Sequence, residues 1–385
     1  MSNPTPMPSL GNKILCIVGA RPNFMKIAPI MAAFRTRTPQ LAVKLVHTGQ
    51  HYDVAMNGRF FEQLGIPAPD ISLEVGSGSH AQQTAEIMKR FEPVIDAEAP
   101  TVVLVVGDVN STIACALVAA KRRVKVVHVE AGLRSRDRSM PEEINRILTD
   151  QLSDRLYTTE AEALDNLVAE GIAAERVVFA GNVMIDTLQA SLAQAVPAEA
   201  TLAAARDPEI FLQASQGYAV LTLHRPSNVD DVQALTRLLT VLGELSAELP
   251  IVFPVHPRTQ NKIREAGLGA FLDNPHLLAL PPVGYFEMIG LMREAKLVLT
   301  DSGGLQEETT ALGVPCLTLR ENTERLITLS QGTNTLVGAD PDTIRKAVND
   351  VLTTGGKVGR APALWDGHAA ERIVDDLACW LGVSA

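Results

Sequence analysis

The sequence predicts an α/β protein with two doubly wound parallel-sheet domains. Short runs of aliphatic and β-branched residues alternate along the chain with longer Ala- and Leu-rich segments of helical pattern. The short runs are apolar throughout, as strands buried on both faces of a parallel sheet require. About six of them fall in each half of the 385-residue chain, a length that favours two domains.

Twelve segments are predicted as strands. In the first half they are KILCIVG, VKLVHTG, TVVLVVGD, VKVVHVEAG, RLYTT and RVVFAG, and in the second half YAVLTLHR, IVFPVHP, LLALPP, KLVLTDSGG, PCLTLR and TLVG. Residues 190–207 have no strand signal and are predicted to carry the crossover between the halves. Residues 365–382, WDGHAAERIVDDLACWLG, predict an amphipathic helix with a packing role.

Composition and cysteine usage exclude several classes of partner. The net charge of −10 argues against a nucleic-acid partner or an anionic membrane surface. The four cysteines are far apart, with no CxxC or Cys/His metal spacing, which favours reduced thiols in a cytoplasmic protein and no metal. The first residues, MSNPTPMPSLGNK, lack the basic and apolar regions of a signal peptide. No apolar run reaches membrane-spanning length.

Polar residues gather directly after the predicted strands, at the edge where open α/β sheets bind ligands. They are Arg21, Gln50, Asp108, Glu130, His224, His256, Asp301 and Arg320.

The segment LVLTDSGGLQEE at 297–308 has the pattern strand, small-residue turn, helix, with the helical pattern beginning at Leu305. Such a turn offers backbone N–H groups and a helix N-terminus to a phosphate. Glu307 and Glu308, expected in the first helical turn, would repel a phosphate, so one of them suits the hydroxyls of a ribose better. This interpretation predicts a nucleotide. An ordinary capped turn with dipole-favoured glutamates is the alternative.

The segment GARPNFMKIAP follows the first strand and carries two cations, Arg21 and Lys26. Because proline is not tolerated deep in a helix, Pro29 predicts a helix start near Met25 or Lys26. The two cations would then flank a crevice suited to phosphate or carboxylate, or would simply be solvated on a loop. The segment contains neither GxGxxG nor a Walker A pattern.

Three carboxylates fall within 35 residues of each other at adjoining strand ends. Asp108 is either an N-cap or a functional group. Glu130 directly follows the run V-V-H-V and is hard to explain as a solvent-exposed surface residue. Glu142 has capping-box spacing from Ser139, but it also lies four residues before Arg146, which can orient it. Such a cluster suits proton transfer at carbon.

Two histidines end strands of the second half. His224 precedes Arg225 and is the stronger site candidate, whereas His256 fits a satisfied loop histidine equally well.

Together these segments resemble the non-hydrolysing bacterial UDP-N-acetylglucosamine 2-epimerases. The matching motifs are GARPNFMKIAPI, TGQHYD, GDVNST, HVEAGLRS, MPEEINR, GNVMIDTL, TLHRPSNVD, HPRT, TDSGGLQEE and NTER. The resemblance implies a glycosyltransferase-B type fold, in which two Rossmann-like domains surround an interdomain cleft. We therefore expect domains at 1–190 and 191–366, and a last helix within 367–385 that packs back on the N-terminal domain.

The resemblance also implies a role for each site residue. Ser302, Gly303 and Gly304 would receive the diphosphate, and Glu308 the ribose hydroxyls. His224 would support the leaving UDP. The remaining roles are Asp108, Glu130 and Glu142 as catalytic carboxylates, Arg146 as the group orienting Glu142, and Arg21, Lys26 and Arg325 as phosphate and sugar ligands. The family eliminates UDP to a 2-acetamidoglucal and adds it back, so no cofactor is expected.

One position departs from the family pattern. Many relatives have an aromatic residue next to the uracil, where this chain offers Met288, with Tyr285 or Phe286 as substitutes. The related epimerases of diacetamido-uronic acid nucleotides share most of the motifs, so that substrate stays an alternative. A retaining glycosyltransferase and a catalytically silent sugar-nucleotide sensor are further alternatives, which the complete carboxylate trio disfavours.

Some family members bind a second, activating UDP-GlcNAc through Gln-His-X-Gln and Arg-Gln-Thr segments. Here the stretches read QHYD at 50–53 and QQT at 82–84, and both changes disfavour a diphosphate. The candidate second-site residues Gln50, Arg225 and His256 remain, so we expect a weakened site. The expected partners are a UDP-sugar substrate and a second copy of the chain in a homodimer, but neither nucleic acid nor a membrane.

Overall fold

The computed structural model describes residues 12–50, 61–203 and 207–383 of the chain. These residues form two compact units. The first unit contains the chain up to Leu133, Arg138–Val183 and the residues from His368 onward. The second unit contains Arg134–Asp137 and Met184–Gly367.

Each unit is built on one sheet in which all recorded strand pairs are parallel. The strands are β1 Lys13–Val18, β2 Ala42–His47, β3 Ile71–Ser72, β4 Val102–Val106, β5 Lys125–Ala131, β6 Arg155–Thr158, β7 Val177–Phe179, β8 Ala219–Thr222, β9 Ile251–Pro254, β10 Leu277–Leu280, β11 Leu297–Thr300, β12 Cys316–Thr318 and β13 Asn334–Leu336. The strand orders are β3-β2-β1-β4-β5-β6-β7 and β10-β9-β8-β11-β12-β13.

Helices connect the strands. They are α1 Arg21–Arg37, α2 His80–Glu98, α3 Asn110–Lys121, α4 Pro141–Leu152, α5 Ala163–Ala169, α6 Val183–Ser191, α7 Ala198–Leu202, α8 Glu209–Leu212, α9 Pro226–Val229, α10 Val232–Leu245, α11 Pro257–Glu265, α12 Tyr285–Glu294, α13 Gly303–Leu312, α14 Leu326–Ser330, α15 Pro341–Thr354 and α16 Ala369–Trp380. Short 3₁₀ turns lie at Ala174–Arg176, Leu192–Gln194 and Gly269–Phe271.

Both faces of the second sheet are buried, as its continuous apolar strands require. Leu297 and Leu299 of β11 join one core cluster, whereas Val298 between them joins the cluster on the other face. Because successive strand residues point to opposite faces, both sets of side chains of a strand covered on both sides are buried, and they are therefore mostly apolar.

The predicted fold class of two doubly wound parallel sheets is confirmed. All twelve predicted strand segments contain a strand, and the two-residue strand β3 was not predicted. The predicted start of α1 near Met25 is wrong. The helix begins at Arg21, because Pro22 in its first turn needs no N–H partner, and it continues through Pro29. Among the helices of the described residues, none is long and apolar enough to cross a membrane.

The last helix, α16, is held within the first unit by a carboxylate on its inner face. Asp376 accepts hydrogen bonds from Arg155 Nε at 2.9 Å and from the Tyr157 hydroxyl at 2.7 Å. Burial, and then the charge of Asp376, raise the pKa of the Tyr157 hydroxyl well above its usual value, so it remains a donor. Arg37 of α1 reaches the neighbouring Asp375 on the solvent side.

We expect these two adjacent aspartates to differ in their contribution to stability. Asp376→Ala leaves the Tyr157 hydroxyl without its acceptor and leaves Arg155 with only the Glu175 carbonyl, and it should cost about 1–3 kcal/mol. Asp375→Ala removes a solvent-screened pair and should change little. Urea unfolding followed by Trp380 fluorescence, in a Trp365→Phe background, measures both. Equal shifts of the midpoint would contradict the assignment.

Candidate active site

The loops after β1, β4, β8 and β11 lie where the strand order of each sheet reverses, and they carry several of the predicted site residues. β1 and β4 are neighbours in the first sheet although two strands separate them in sequence, and β8 and β11 have the same relation in the second. Loops leaving such neighbours diverge and open a crevice at their carboxyl ends. Arg21, half-buried, is the first residue of the helix that leaves β1.

Lys26 and Glu130 form a buried ion pair at the end of the first sheet, with 2.7 Å between Nζ and Oε1. Glu130 has a left-handed backbone, with φ of +73°, at an irregularity in the pairing of β5 with β6. A non-glycine residue in this region is strained, and such strain is concentrated at functional sites. A Cβ on Gly107, whose φ is +66°, would lie 2.7 Å from Lys26 Nζ. The glycine therefore leaves room for the ammonium.

Asp108 is bound to α4 and is not a helix cap, since the N-cap of α3 is Val109. Arg146 Nη2 lies 2.7 Å from Asp108 Oδ2, and the same guanidinium pairs with the buried Glu143. Sequence reasoning did not single out Glu143. Its spacing of three residues from Arg146 was the available signal.

Glu142 lies half-buried in the first turn of α4. The capping box considered for it does not form, because the N-cap is Met140 and makes no side-chain cap bond. The ion pairs recorded for Arg146 join it to Asp108 and Glu143, so the orientation of Glu142 by Arg146 stays a prediction.

In the second unit, the buried carboxylate of Asp301 organises the turn that follows β8. It accepts the backbone N–H groups of His224 and Arg225, the side-chain amide of Asn228, and a bond from His224 Nδ1 at 2.7 Å. Burial of the carboxylate opposes its ionisation, but His224 and the backbone donors outweigh it and lower the pKa of Asp301. The imidazole of His224 is thereby oriented while half of its side chain remains exposed.

Helix α13 begins at Gly303, two residues earlier than predicted, with Ser302 as its N-cap. Glu307 and Glu308 are consequently outside the first turn, and the expectation that placed them there was wrong. The predicted diphosphate residues Ser302, Gly303 and Gly304 do occupy the helix N-terminus. A Cβ on Gly303 would lie 2.7 Å from Glu324 Oε1, so a larger residue here would require the glutamate to move.

A buried group of two arginines and two glutamates lies beside this helix terminus. Arg325 Nη1 is 3.2 Å from Glu307 Oε1, and Arg320 Nη2 is 2.9 Å from Glu324 Oε2. Charges of both signs compensate one another here, which removes much of the penalty of burying them. Arg325 was predicted from sequence, whereas Arg320 was identified only as a polar residue after a strand and Glu324 was not singled out.

Glu308, the residue after Glu307 on α13, binds Tyr285. The Tyr285 hydroxyl donates to Glu308 Oε1 at 2.9 Å. Burial, and then the negative charge of Glu308, raise the pKa of Tyr285 far above its usual range. Met288, one turn along α12, is half-buried and packs against the neighbouring apolar cluster.

The candidate second-site residues all have structural partners. Gln50 is buried, and its Oε1 accepts the backbone N–H and the hydroxyl of Ser111. Arg225 Nη2 lies 3.9 Å from Glu324 Oε1, and His256 caps α11 by accepting the N–H of Arg258. Residues 51–53, the rest of the QHYD stretch compared with the second-site segment, lie outside the described residues. Within the described ranges, no group of three or more His, Cys, Asp or Glu side chains has the arrangement of a metal site.

Comparison with known families agrees with this geometry. The model of the family described as UDP-N-acetylglucosamine 2-epimerase matches residues 34–378. The chain belongs to this family. The family predicted from the motifs is therefore confirmed.

Three relatives illustrate the range of the family around this chain. A UDP-N-acetylglucosamine 2-epimerase of Methanococcus maripaludis is 43% identical over 88% of this chain and 92% of the relative. A UDP-2,3-diacetamido-2,3-dideoxy-D-glucuronate 2-epimerase of Pseudomonas aeruginosa is 42% identical over 95% and 99%. The crystal structure of Methanocaldococcus jannaschii UDP-GlcNAc 2-epimerase in complex with UDP-GlcNAc and UDP is similar with a TM-score of 0.85, at 39% identity, over 95% and 99% of the two chains.

The depressed pKa of Asp301 predicts a definite pH dependence of stability. A carboxylate whose pKa is lower in the folded state stabilises the fold above its unfolded pKa of about 3.9, and this contribution is lost as the pH falls through the folded value. Asp301→Asn should therefore cost about 1–3 kcal/mol near neutral pH, and the difference from the unchanged protein should shrink only below about pH 4.

Denaturant unfolding between pH 3 and pH 7 measures this difference. The exposed Asp273 of the same unit provides the matched control, since Asp273→Asn removes a carboxylate that has no buried contacts to lose. A deficit in Asp301→Asn that does not change on acidification would contradict the ionised state of Asp301.

Proposed function

We propose that the chain is a UDP-N-acetylglucosamine 2-epimerase that interconverts UDP-GlcNAc and UDP-ManNAc. The observation that carries the proposal is the pair of carboxylates at the ends of the neighbouring strands β4 and β5, each held by its own cation. Asp108 is held by Arg146 and Glu130 by Lys26. Family membership and the UDP-GlcNAc bound in the Methanocaldococcus jannaschii relative support the same substrate.

The reaction begins with removal of the proton at C2 of the sugar. As that proton is taken by a carboxylate, the electron pair of the C2–H bond forms the C1–C2 double bond, and the C1–O bond to UDP breaks. The products of this step are UDP and 2-acetamidoglucal. Protonation of C2 on the opposite face, with return of a UDP oxygen to C1, gives the epimer. The reaction balances without an oxidant or reductant, because the nucleotide itself leaves and returns.

The carboxylates at the first sheet serve the two proton transfers at C2. A base and an acid are required on opposite faces of the carbon, and at least two positioned carboxylates supply them. The ammonium of Lys26 holds the carboxylate of Glu130 in place, with 2.7 Å between Nζ and Oε1. Asp108 is held by the guanidinium of Arg146 in the same way, with Glu142 on the same helix as Arg146.

The second unit supplies the groups that suit a nucleotide. The N-terminus of α13 at Ser302, Gly303 and Gly304 offers a diphosphate the positive end of the helix dipole. Arg325 adds a buried cation beside it, and Glu308 offers carboxylate oxygens to the ribose hydroxyls. His224, aimed by Asp301, is the group we assign to the leaving diphosphate.

The Pseudomonas aeruginosa relative, at 42% identity, favours one alternative substrate, a UDP-diacetamido-uronate. The same proton transfer at C2 applies to it, so the carboxylates do not distinguish the two. The difference lies in the substituents at C3 and C6, which only a direct comparison of substrates tests.

We expect UDP-GlcNAc in D2O to gain deuterium at C2 and to yield the manno epimer. Proton NMR of the incubated nucleotide measures both, because exchange removes the C2 proton signal as the new anomeric signal appears. A parallel incubation with the UDP-2,3-diacetamido-glucuronate decides between the substrates. Exchange and epimer with the uronate alone would replace the substrate in our proposal, and neither with either nucleotide would reject the 2-epimerase activity.

The carboxylates should each be needed for turnover. Asp108→Asn, Glu130→Gln and Glu142→Gln remove an ionisable group without changing side-chain size and should each lower kcat by roughly 10²-fold or more. UDP affinity should change much less, because the proposed diphosphate groups lie on α13. The exposed Glu175 of the first unit gives the control variant Glu175→Gln, with unchanged kcat. Near-normal turnover in Glu142→Gln would remove Glu142 from the proton-transfer machinery.

A further inference from the structure

We propose that His128 and Asp150 form a buried positioning pair that fixes the spacing of the proton-transfer carboxylates. Neither residue was singled out from sequence, and neither is accessible to a substrate, since both side chains are fully buried. The catalytic consequence of this inference rests on the proposed 2-epimerase function, whereas its structural part does not.

The pair joins the ends of two neighbouring strands. His128 Nδ1 lies 2.6 Å from Asp150 Oδ1, and His128 Nε2 lies 2.8 Å from the carbonyl oxygen of Gly107. The other oxygen of Asp150 accepts the backbone N–H of Gly132 at 3.1 Å. The network therefore runs from the turn after β4, through α4, to the turn after β5.

Each of these attachment points adjoins a proposed catalytic carboxylate. Gly107 immediately precedes Asp108, and its N–H is held by the carbonyl of Val129 on β5. Gly132 lies two residues after Glu130, whose left-handed backbone needs support from its surroundings. A single network thus restrains the backbone on both sides of the proton-transfer site.

Asp150 also links this network to the helix that carries Arg146. The two residues are four apart on α4 and share a face of the helix. Arg146 holds the side chain of Asp108, while Asp150 holds the turns that carry Asp108 and Glu130. These contacts therefore fix the position of α4 relative to the ends of both β4 and β5.

Burying an ionisable pair in a core carries a desolvation cost in free energy. Well-packed apolar residues of similar volume are often as stabilising or more so, so burial alone does not account for it. A pair of hydrogen-bonding groups provides directional contacts, which apolar packing does not. In catalysis, misplacement of a reacting group by about 1 Å can lower the rate roughly 10²-fold.

The hydrogen-bond pattern provides a discriminating substitution. In Asp150→Asn, the amide oxygen can still accept the Gly132 N–H, and the amide nitrogen can donate to His128 Nδ1. A neutral imidazole with its proton on Nε2 then still donates to Gly107. This variant keeps every contact of the network but removes its charge, whereas Asp150→Ala removes the contacts as well.

The test compares Asp150→Ala and Asp150→Asn in the full chain by steady-state kinetics and by hydrogen exchange at the Gly132 amide. We expect Asp150→Ala to lower kcat roughly 10²-fold with little change in KM, and to accelerate exchange of the Gly132 amide. Asp150→Asn should retain most of kcat and the protection of that amide. The control Val126→Ala deletes buried volume two residues before His128 on the same face of β5, and should retain kcat.

Each result decides the inference. Unchanged exchange of the Gly132 amide in Asp150→Ala would overturn it, whatever the activity. An Asp150→Asn protein that protects this amide but loses kcat as severely as Asp150→Ala would overturn it in favour of a charge requirement. If Asp150→Ala does not fold, the decision rests on Asp150→Asn: loss of most of kcat with the Gly132 amide still protected would overturn the inference. If the unchanged protein turns over neither sugar nucleotide while the exchange results are as expected, the proposed function fails and the structural role of the pair stands.

Discussion

Burial of both faces of each sheet determines where this chain can place polar chemistry. Strand β4 is apolar along its whole length, and β11 is apolar up to its last residue, because both are buried on both faces. Within such a strand a polar side chain needs a buried partner, as His128 of β5 has in Asp150, whereas at a strand end it can face a ligand; parallel strands end along one edge of the sheet. Asp108, His224 and Asp301 follow strand ends, and Glu130 is the last residue but one of β5. The reversal of strand order then opens the loops beside β1 and β8, where such an edge is accessible to a ligand.

Charge compensation is the second constraint, and it explains how an acidic chain can hold buried cations beside the proposed sugar-nucleotide site. The net charge of −10 would repel a sugar nucleotide if it were spread evenly. In the first unit, Lys26 and Arg146 each face a carboxylate, and in the second unit Arg320 and Arg325 do so. Pairing allows these cations to be buried near the strand ends.

The parts of the fold and site that could be predicted from sequence are those that depend on residues close together in the chain. The strands were predictable because burial on both faces produces a local apolar pattern, and the family was predictable because its motifs are contiguous. The start of α1 was placed too late because Pro29 was treated as a barrier, although the helix accommodates it. The pairing of His128 with Asp150, 22 residues apart, leaves no local signal, since histidine in V-V-H-V reads as an ordinary core residue.

The left-handed backbone at Glu130 shows how the local and long-range constraints combine. A regular strand would direct this side chain according to strict alternation, and the irregularity between Val129 and Ala131 breaks that alternation. The strained conformation costs on the order of 1–3 kcal/mol and persists only when neighbouring contacts determine it. Lys26 holds the carboxylate, and the bond from Gly132 to Asp150 holds the backbone immediately beyond it. The direction of this one carboxylate is therefore set by contacts with α1 and α4, not by β5 itself.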